Sequence, residues 1–187
     1  MLKEKEINHS NINNNKIITF IGMMGTGKSK FGRLIAKNLN FTFYDVDLLI
    51  ENKFNNTIKN IFQENGENFF RKTEESTIKK LIFNISQSNQ SSVISLGGGA
   101  FDNINTRTLL LEKSHVIWLN TPVEVLVNRV GDGSKRPMIR GDVKKSISEL
   151  LKKRIKYYSL SHDQLNTNKL NQNQIIEKIT KIISNEN

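Results

Sequence analysis

The sequence contains no cysteine, which excludes disulfide bonds, thiolate metal sites and cysteine-based redox chemistry. Side chains that could stack on nucleic-acid bases are scarce, with three tyrosines and one tryptophan in 187 residues. No segment approaches the roughly 20 apolar residues of a membrane-spanning helix. The polar start of the chain also has no apolar stretch of signal-peptide length. We therefore expect a cytoplasmic protein that does not bind membranes, and the few stacking side chains argue against a nucleic-acid partner.

Positive charge is in excess, since 28 lysines and arginines stand against 18 acidic residues and give a formal net charge of +10. A field of this sign concentrates anions near the surface, so the partner is expected to be nucleic acid or a phosphorylated small molecule. The basic residues are scattered along the chain, which favours the small molecule. A proteome that is basic as a whole is the alternative explanation.

Length and element pattern indicate one domain. The polar segment 1–15 is expected to be a loosely ordered tail, and residues 16–187 are expected to form the domain. The runs KIITFIG, FTFYDVD, SVISLGGG and HVIWLN each resemble a buried strand and are each followed by helix-compatible sequence. A helix over VKKSISELLKKRIKYY, a short strand at 163–166 and a final helix complete the chain. This alternation predicts a parallel sheet covered on both faces, with ligands at the carboxyl ends of the strands.

A phosphate-binding motif follows the first predicted strand. Gly22, Gly27, Lys28 and Ser29 match G-x-x-x-x-G-K-[ST] in full, between that strand and a helix predicted to begin at Lys28. Glycines allow backbone N–H groups to point at an anion, and the helix N-terminus adds a favourable dipole. The lysine can reach the β- and γ-phosphates, and the serine hydroxyl can ligate Mg²⁺. The motif predicts nucleotide binding; the alternative is a glycine turn that matches by chance.

Two carboxylates follow the second predicted strand, at Asp45 and Asp47. A phosphotransferase needs a carboxylate to orient the acceptor hydroxyl and to take its proton, and Asp47 is the candidate. Asp45 would point to the opposite side if the strand continued, so it is expected to face Mg²⁺ through water. As an alternative, one of the two acids merely caps the following helix.

An arginine and a glycine run supply further candidates. Arg71 lies beside an aromatic pair and could hold a substrate carboxylate through two parallel hydrogen bonds. An ordinary ion pair with one of the acids at 67, 74 and 75 is the alternative. The run Gly97 to Gly99 ends a predicted strand and would let a ligand lie directly against backbone N–H groups. A tight turn is the alternative there.

Residues 131–141, GDGSKRPMIRG, predict a mobile surface loop. Arg136 and Arg140 could close over bound nucleotide, place positive charge on the transferring phosphoryl group and expel water. Solvated loop cations are the alternative. His115 is expected to begin a strand and Trp118 to lie in the core, whereas His162 has no clear partner. No chemistry is assigned to these three.

Six segments, in this order, resemble the shikimate kinase family of P-loop proteins: GMMGTGKS, YDVD, FQENGENFFR, SLGGGA, SKRPMIRG and RIKYY. The resemblance covers almost the whole chain from Lys16 onward. It implies a three-layer α/β/α P-loop kinase fold with a five-stranded parallel sheet and a mobile lid at about 131–141. The implied activity is phosphorylation of shikimate to shikimate 3-phosphate in aromatic amino-acid (chorismate) biosynthesis. ATP would be the co-substrate, Mg²⁺ the cofactor and the protein a monomer.

The resemblance also implies roles for individual residues. The catalytic groups would be Asp47, Lys28 and Arg136. Shikimate would be bound by Asp47, Arg71, Gly97, Gly98, Gly99 and Arg154, the last of which begins an R-x-x-x-Y pattern. ATP would be bound by Gly25, Thr26, Gly27, Lys28, Ser29, Lys30, Arg129 and Arg136, with Arg129 along the adenine. Ser29 and Asp45 would organise the metal.

Three other functions remain open at this point. A gluconate or nucleoside-monophosphate kinase of the same branch is one, although two arginines beside a glycine run suit a compact carboxylate better than a base. A non-catalytic binding protein built on a kinase scaffold is the second, and a basic nucleic-acid binder is the third. A panel of acceptors would separate the kinases, and a steep salt dependence of DNA binding would favour the last.

Overall fold

The computed structural model describes residues 16–88, 90–134 and 136–184. The segment 1–15, expected to be a loosely ordered tail, lies outside these ranges. The elements in chain order are β1 (Ile17–Ile21), α1 (Lys28–Leu39), β2 (Thr42–Asp45), α2 (Val46–Phe54), α3 (Ile58–Gln87), β3 (Ser92–Ser95), a short 3₁₀ turn (Ala100–Asp102), α4 (Ile104–Lys113), β4 (His115–Asn120), α5 (Val123–Val130), α6 (Val143–Tyr158), β5 (Asp163–Asn166) and α7 (Gln172–Ser184).

The five strands form one sheet in the order β2-β3-β1-β4-β5, and every neighbouring pair is parallel. Ser95 at the end of β3 pairs with Phe20 of β1 on one side and with Asp45 of β2 on the other. The carboxyl ends of these three strands therefore lie side by side. This places the glycine-rich motif, the two acids and the glycine run at one edge of the sheet.

Alternate strand residues face two separate hydrophobic cores, as the period of a strand requires. In β4, Ile117 and Leu119 pack in the core that includes α1 and α7, whereas Val116 and Trp118 pack in the core that includes α2 to α6. Helices therefore cover both faces of the sheet. The predicted three-layer α/β/α fold with a five-stranded parallel sheet is confirmed, as are the strand that begins at His115 and the burial of Trp118.

The glycine-rich motif takes its shape from close packing against the neighbouring strand. Gly22 has a φ of +137°, and a Cβ at this position would lie 2.6 Å from the carbonyl oxygen of Leu119. Only glycine fits both constraints. The chain then turns through Gly27, which has a φ of +93° and precedes the first residue of α1. The helix begins at Lys28, as predicted.

Two local features differ from the sequence-based picture. Strand β2 ends at Asp45 and does not continue to Asp47, which lies instead in the first turn of α2. His162 does have a partner: its Nδ1 accepts a 2.9 Å hydrogen bond from the backbone N–H of Val116, and its ring stacks on His115. The contact joins the amino ends of β4 and β5 through residues that are 46 positions apart in the chain, so no local pattern could predict it.

Within the described ranges, no helix combines the length and the apolar character that a membrane crossing requires. The longest helix, α3, is interrupted at Gly66, where the backbone has a φ of 80° and a ψ of 169°. This break separates the short segment that carries Phe62 from the longer segment that carries Arg71 and Glu74. Arg71 and Glu74, on the second segment, line the same cavity as Gly97, Gly98 and Gly99 after β3.

Candidate active site

Two adjoining cavities lie at the carboxyl edge. The P-loop cavity has a volume of about 360 Å³ and contains these predicted residues: Gly25, Gly27, Lys28, Ser29, Lys30, Asp47, Gly98, Arg129 and Arg136. The arginine cavity has a volume of about 70 Å³ and contains these: Asp47, Arg71, Gly97, Gly98, Gly99, Arg136 and Arg154. Asp47, Gly98 and Arg136 line both, so the two cavities meet at a carboxylate, a backbone segment and a cation.

Lys28 is buried at the base of the P-loop cavity, with 8% of its surface exposed. Its Nζ donates 2.9 Å hydrogen bonds to the carbonyl oxygens of Gly22 and Met23. Burial lowers the pKa of the lysine to about 8, which the nearby Asp47 charge partly opposes. Thr26 does not line the cavity; its buried hydroxyl donates to the carbonyl oxygen of Met23 and holds the loop from within.

Ser29 and Asp45 lie on the wall of a third cavity, of about 490 Å³, which also contains Asp47. The Ser29 hydroxyl is 3.3 Å from the hydroxyl of Ser95. Asp45 is the N-cap of α2, and its Oδ1 accepts the backbone N–H groups of Asp47 and Leu48 at 3.1 and 3.4 Å. The alternative that one of the two acids caps the following helix is therefore confirmed for Asp45.

The donor set fits Mg²⁺, because a serine hydroxyl and two carboxylates are the hard oxygen ligands that this ion prefers. Both capping bonds of Asp45 go to Oδ1, and no described donor bonds to Oδ2. Among the described residues there is no group of three His, Cys, Asp or Glu side chains that could enclose a metal. This also agrees with Mg²⁺, which keeps waters and is held partly by substrate phosphates.

Asp47 is only partly exposed and stands where all three cavities meet. Burial raises the pKa of its carboxyl group, and the negative charge of Asp45 raises it further, whereas Lys28 and Arg136 oppose the shift. A carboxylate whose pKa is raised is a better proton acceptor than an exposed one. The position and the pKa therefore suit a group that takes a proton from an acceptor hydroxyl.

Arg71 is held by acidic and aromatic neighbours. Its Nη1 donates a 2.6 Å bond to Glu74, and its Nε lies 3.4 Å from Glu67. The guanidinium also lies 5.2 Å from the ring centroid of Phe70. The ion pairs that were the alternative reading are thus present, yet the same side chain lines the arginine cavity. Both descriptions hold, because the pairs leave Nη2 free to face Gly99.

Arg154 reaches the same point from α6. Its side chain is 4% exposed, and its Nε donates a 3.0 Å hydrogen bond to Asp102. A Cβ at Gly99 would lie 2.5 Å from Nη2 of Arg71 and 2.7 Å from Nη2 of Arg154. Two guanidinium groups therefore converge on one glycine, and they form a site whose charge and shape suit a carboxylate.

The glycine run does form a turn, but each of its three residues is also in close contact with other parts of the site. Gly97 faces Asp47, and the carbonyl oxygen of Gly98 accepts a hydrogen bond from the buried hydroxyl of Tyr158. The backbone bends here into the 3₁₀ turn, through a bond from the N–H of Ala100 to the carbonyl oxygen of Gly97. Side chains at these positions would displace the groups that line the arginine cavity.

The loop at 131–141 covers the arginine cavity with Arg136, Pro137 and Met138. Arg136 is exposed and lines the P-loop cavity as well. Arg140 does not reach either cavity; its backbone is bonded to Ser146 at the start of α6. Both arginines line a further cavity of about 520 Å³ beside α3, but only Arg136 also lines the P-loop and arginine cavities.

The remaining predicted nucleotide contacts lie at the rim. Nη1 of Arg129 donates a 3.2 Å bond to the carbonyl oxygen of Gly25. The side chain of Lys30 is exposed and lies over the ring of Phe31, with Nζ 5.9 Å from its centroid. Both residues line the P-loop cavity, as predicted for groups that bind ATP.

The sequence analysis assigned no role in the site to four residues that build it. Glu74, Asp102, Met23 and Tyr158 each contact a predicted arginine or glycine. The pattern R-x-x-x-Y ends at Tyr158, and Glu74 is one of the acids that could pair with Arg71, but neither was expected to shape the site. Asp102 follows the glycine run by three residues. That spacing would mark it as a site residue only if the turn at 100–102 were already known.

The comparisons with known proteins agree with this geometry. The family model described as shikimate kinase matches residues 24–184 of the chain. A shikimate kinase from Sulfurihydrogenibium sp. (strain YO3AOP1) is 34% identical over 168 residues, which are 89% of this chain and 98% of the relative. The chain belongs to the shikimate kinase family.

Two further members of the shikimate kinase family support the assignment. A shikimate kinase from Zymomonas mobilis is 40% identical over 147 residues, which are 78% of this chain and 81% of the relative. The solved structure of shikimate kinase from Acinetobacter baumannii in complex with shikimate has a TM-score of 0.85 at 30% identity, and covers 93% of this chain and 96% of that one. The fold and the P-loop kinase class are therefore established for this chain.

Proposed function

We propose that Asp47, Lys28 and Arg136 carry out, in this chain, the ATP-dependent phosphorylation of shikimate to shikimate 3-phosphate. The activity follows from membership of the shikimate kinase family. The observation that supports the assignment of residues is that Asp47 stands between two cavities, one lined by phosphate-binding groups and the other by two arginines. A phosphoryl donor on one side and an acceptor on the other would meet at this carboxylate.

On the acceptor side, Arg71 and Arg154 hold the carboxylate of shikimate. Their Nη2 groups converge at Gly99, where the missing Cβ leaves room for the two guanidinium groups themselves. A guanidinium binds a carboxylate through parallel hydrogen bonds, which fixes the orientation of the ring as well as its position. The hydroxyl groups of the ring then lie toward Asp47.

Asp47 orients the 3-hydroxyl group and takes its proton as the phosphoryl group arrives. Burial raises the pKa of Asp47, which favours uptake of the proton, and the charges of Lys28 and Arg136 oppose that rise. Since the transfer is in line and passes through no covalent enzyme intermediate, positioning is most of what the protein contributes.

On the donor side, the backbone of Gly25 to Ser29 surrounds the phosphates, and Lys28 and Arg136 place positive charge on them. Ser29 and Asp45 would hold Mg²⁺, which neutralises charge on the β- and γ-phosphates when it is bound. Arg129 and Lys30 lie at the rim, where the rest of ATP would extend. The loop at 131–141 acts as a lid that excludes water from the transferring group.

The test is release of ADP by the purified protein with ATP, Mg²⁺ and shikimate. Asp47→Asn keeps the shape of the side chain but removes the proton acceptor, so turnover should fall at least about 100-fold while ATP affinity stays within twofold. Asp163→Asn, at the amino end of β5, is the control and should keep wild-type turnover. Retained turnover in Asp47→Asn would remove Asp47 as the base. An acceptor panel with gluconate and nucleoside monophosphates would reveal a different substrate.

The protein acts as a cytoplasmic monomer that binds no nucleic acid and no membrane. Light scattering would measure the mass of the particle in solution, and a mass of two or more chains at assay concentration would contradict the monomer. Binding to DNA that survives physiological salt would contradict the absence of a nucleic-acid partner.

A further inference from the structure

The short 3₁₀ turn after the glycine run carries an acid, Asp102, that contacts Arg154 on the side away from the arginine cavity. Asp102 is the last residue of this turn, and its Oδ2 accepts a 3.0 Å hydrogen bond from Nε of Arg154. The arginine side chain is 4% exposed and that of the acid 35%. The pair is thus largely buried on the arginine side and lies next to the arginine cavity.

The turn that presents Asp102 is firmly held. The backbone N–H of Asp102 donates to the carbonyl oxygen of Gly99. The backbone carbonyl oxygen of Asp102 accepts a 3.0 Å hydrogen bond from Nη1 of Arg107. The guanidinium of Arg107 in turn lies 4.6 Å from the ring centroid of Tyr157 in α6. The carboxylate is therefore fixed relative both to the glycine run and to the helix that carries Arg154.

The hydrogen bond defines which edge of the Arg154 guanidinium is available. Nε is taken by Asp102, and Nη1 lies 3.8 Å from the sulfur of Met23, while Nη2 faces Gly99. A carboxylate in the cavity can then be received only through the Nη end of the group. Arg71 has the same arrangement, with acids at Nε and Nη1 and with Nη2 at Gly99.

The second carboxylate oxygen of Asp102, Oδ1, indicates that the ion pair with Arg154 does more than stabilise the fold. Oδ1 is buried and accepts no hydrogen bond within the part of the chain that the structure describes. An unpaired buried oxygen is destabilising, so folding stability alone does not explain an acid at this position. The position makes sense if the charge is needed to hold Arg154.

We propose that Asp102 is a positioning residue, which holds the guanidinium of Arg154 so that its Nη end receives the carboxylate of the acceptor substrate. The inference rests on the proposed function, because it takes shikimate as that acceptor. It extends the substrate site by a residue that does not itself touch the ligand. The residue acts on affinity for the acid and not on phosphoryl transfer.

The experiment measures kcat and both KM values for Asp102→Ala and Asp102→Asn. Since a hydrogen bond to a charged group contributes about 1.5–3 kcal/mol, the alanine variant should raise KM for shikimate at least about tenfold. KM for ATP and kcat should stay within about twofold. Asp102→Asn keeps an oxygen that can accept the Nε–H bond, so it should recover part of the loss.

Two controls separate positioning from a general loss of structure. Asp142→Ala removes the N-cap of α6, whose side chain accepts from Lys145 at 2.6 Å, without touching Arg154. It should lower Tm and leave KM for shikimate unchanged. In an Arg154→Lys background, Asp102→Ala should add little to KM, because the lysine has no Nε–H bond to lose.

An unchanged KM for shikimate in Asp102→Ala would overturn the proposal. A rise in KM for shikimate that Asp142→Ala reproduces would also overturn it. The same holds if Asp102→Ala raises this KM by the same factor in the Arg154→Lys background. Failure of the wild-type protein to phosphorylate shikimate would instead overturn the proposed function, and is recorded before any variant is made.

Discussion

The carboxylates of Asp47 and Glu74 approach the same backbone position from two different helices: a Cβ at Gly97 would lie 2.8 Å from Oδ1 of Asp47 and 2.7 Å from Oε1 of Glu74. Burial raises the pKa of both groups, and that of Glu74 reaches about 7, although Arg71 opposes the shift. The charge of Asp47 adds to the rise at Glu74. The two acids therefore compete, and near neutral pH Glu74 carries a proton in part of the molecules.

This pKa makes folding stability depend on pH. Between about 4.5, the ordinary value, and about 7, the folded protein holds a proton on Glu74 that the unfolded chain has released. The contribution of this group to the free energy of unfolding therefore falls as pH rises through that window. In Glu74→Gln this part of the slope should vanish, as measured by urea unfolding of both proteins from pH 4.5 to 7.5. Parallel pH profiles of the two proteins would contradict the assignment.

Lys28 predicts a pH dependence of nucleotide binding. Because burial lowers its pKa to about 8, the ammonium group of the free protein loses its proton as pH rises through that value. A bound phosphate needs the charged form, so ATP affinity should fall above pH 8 by up to about tenfold per pH unit. Lys28→Arg stays protonated throughout, and its affinity, weaker overall, should be level across pH 7 to 9.5 in calorimetric titrations. An equal decline in both proteins would point to another group.

Gly99→Ala should impair acceptor binding because the new methyl group would meet both arginines. The added Cβ lies 2.5 and 2.7 Å from their Nη2 atoms, and overpacking of this kind costs about 1–3 kcal/mol. KM for shikimate should rise roughly tenfold or more, with little change in ATP affinity. Gly98→Ala is the matched variant, since its nearest neighbours lie at 3.4 Å, and it should displace the arginines much less. Equal effects on Arg71 and Arg154 in crystal structures of the two variants would refute this.

Asp45 combines two roles that substitution can separate. Asp45→Ala removes the N-cap of α2 and should lower stability by about 1 kcal/mol, whereas Asp45→Ser keeps an oxygen that can accept the Asp47 N–H. Both variants lose the carboxylate that would face Mg²⁺, so both should need more Mg²⁺ for half-maximal activity. Thermal unfolding and magnesium titrations of turnover measure the two effects. A normal magnesium requirement in the serine variant would leave capping as the only role.

Much of the fold could be predicted because its signals are local. The glycines of the phosphate-binding motif, the β-branched runs and the amphipathic segment at Val143–Tyr158 each specify their own element, and the structure has them at the predicted places. Alternation of strands and helices then leaves few ways to connect them. The meeting of Asp47, Lys28 and the glycine run follows from the strand order, since β3 lies between β1 and β2.

The parts that could not be predicted depend on contacts between distant segments. Whether Arg71 pairs with Glu74 or lines a binding cavity was undecidable from the helix alone, and in the structure it does both. Asp102 is separated from Arg154 by 52 positions, so nothing in the pattern around it marks the pair. The contact of His162 with Val116 spans 46 positions and was missed for the same reason.

The small size of the arginine cavity, about 70 Å³, links the space for an acceptor to the position of one loop. Sites for small molecules are usually several times larger, at about 300–1,000 Å³. Part of the wall here is Pro137 and Met138, which also line a neighbouring cavity of about 520 Å³. A ligand larger than the cavity therefore needs these two side chains to lie farther from the glycine run, so the conformation of the loop decides how large an acid the two arginines can receive.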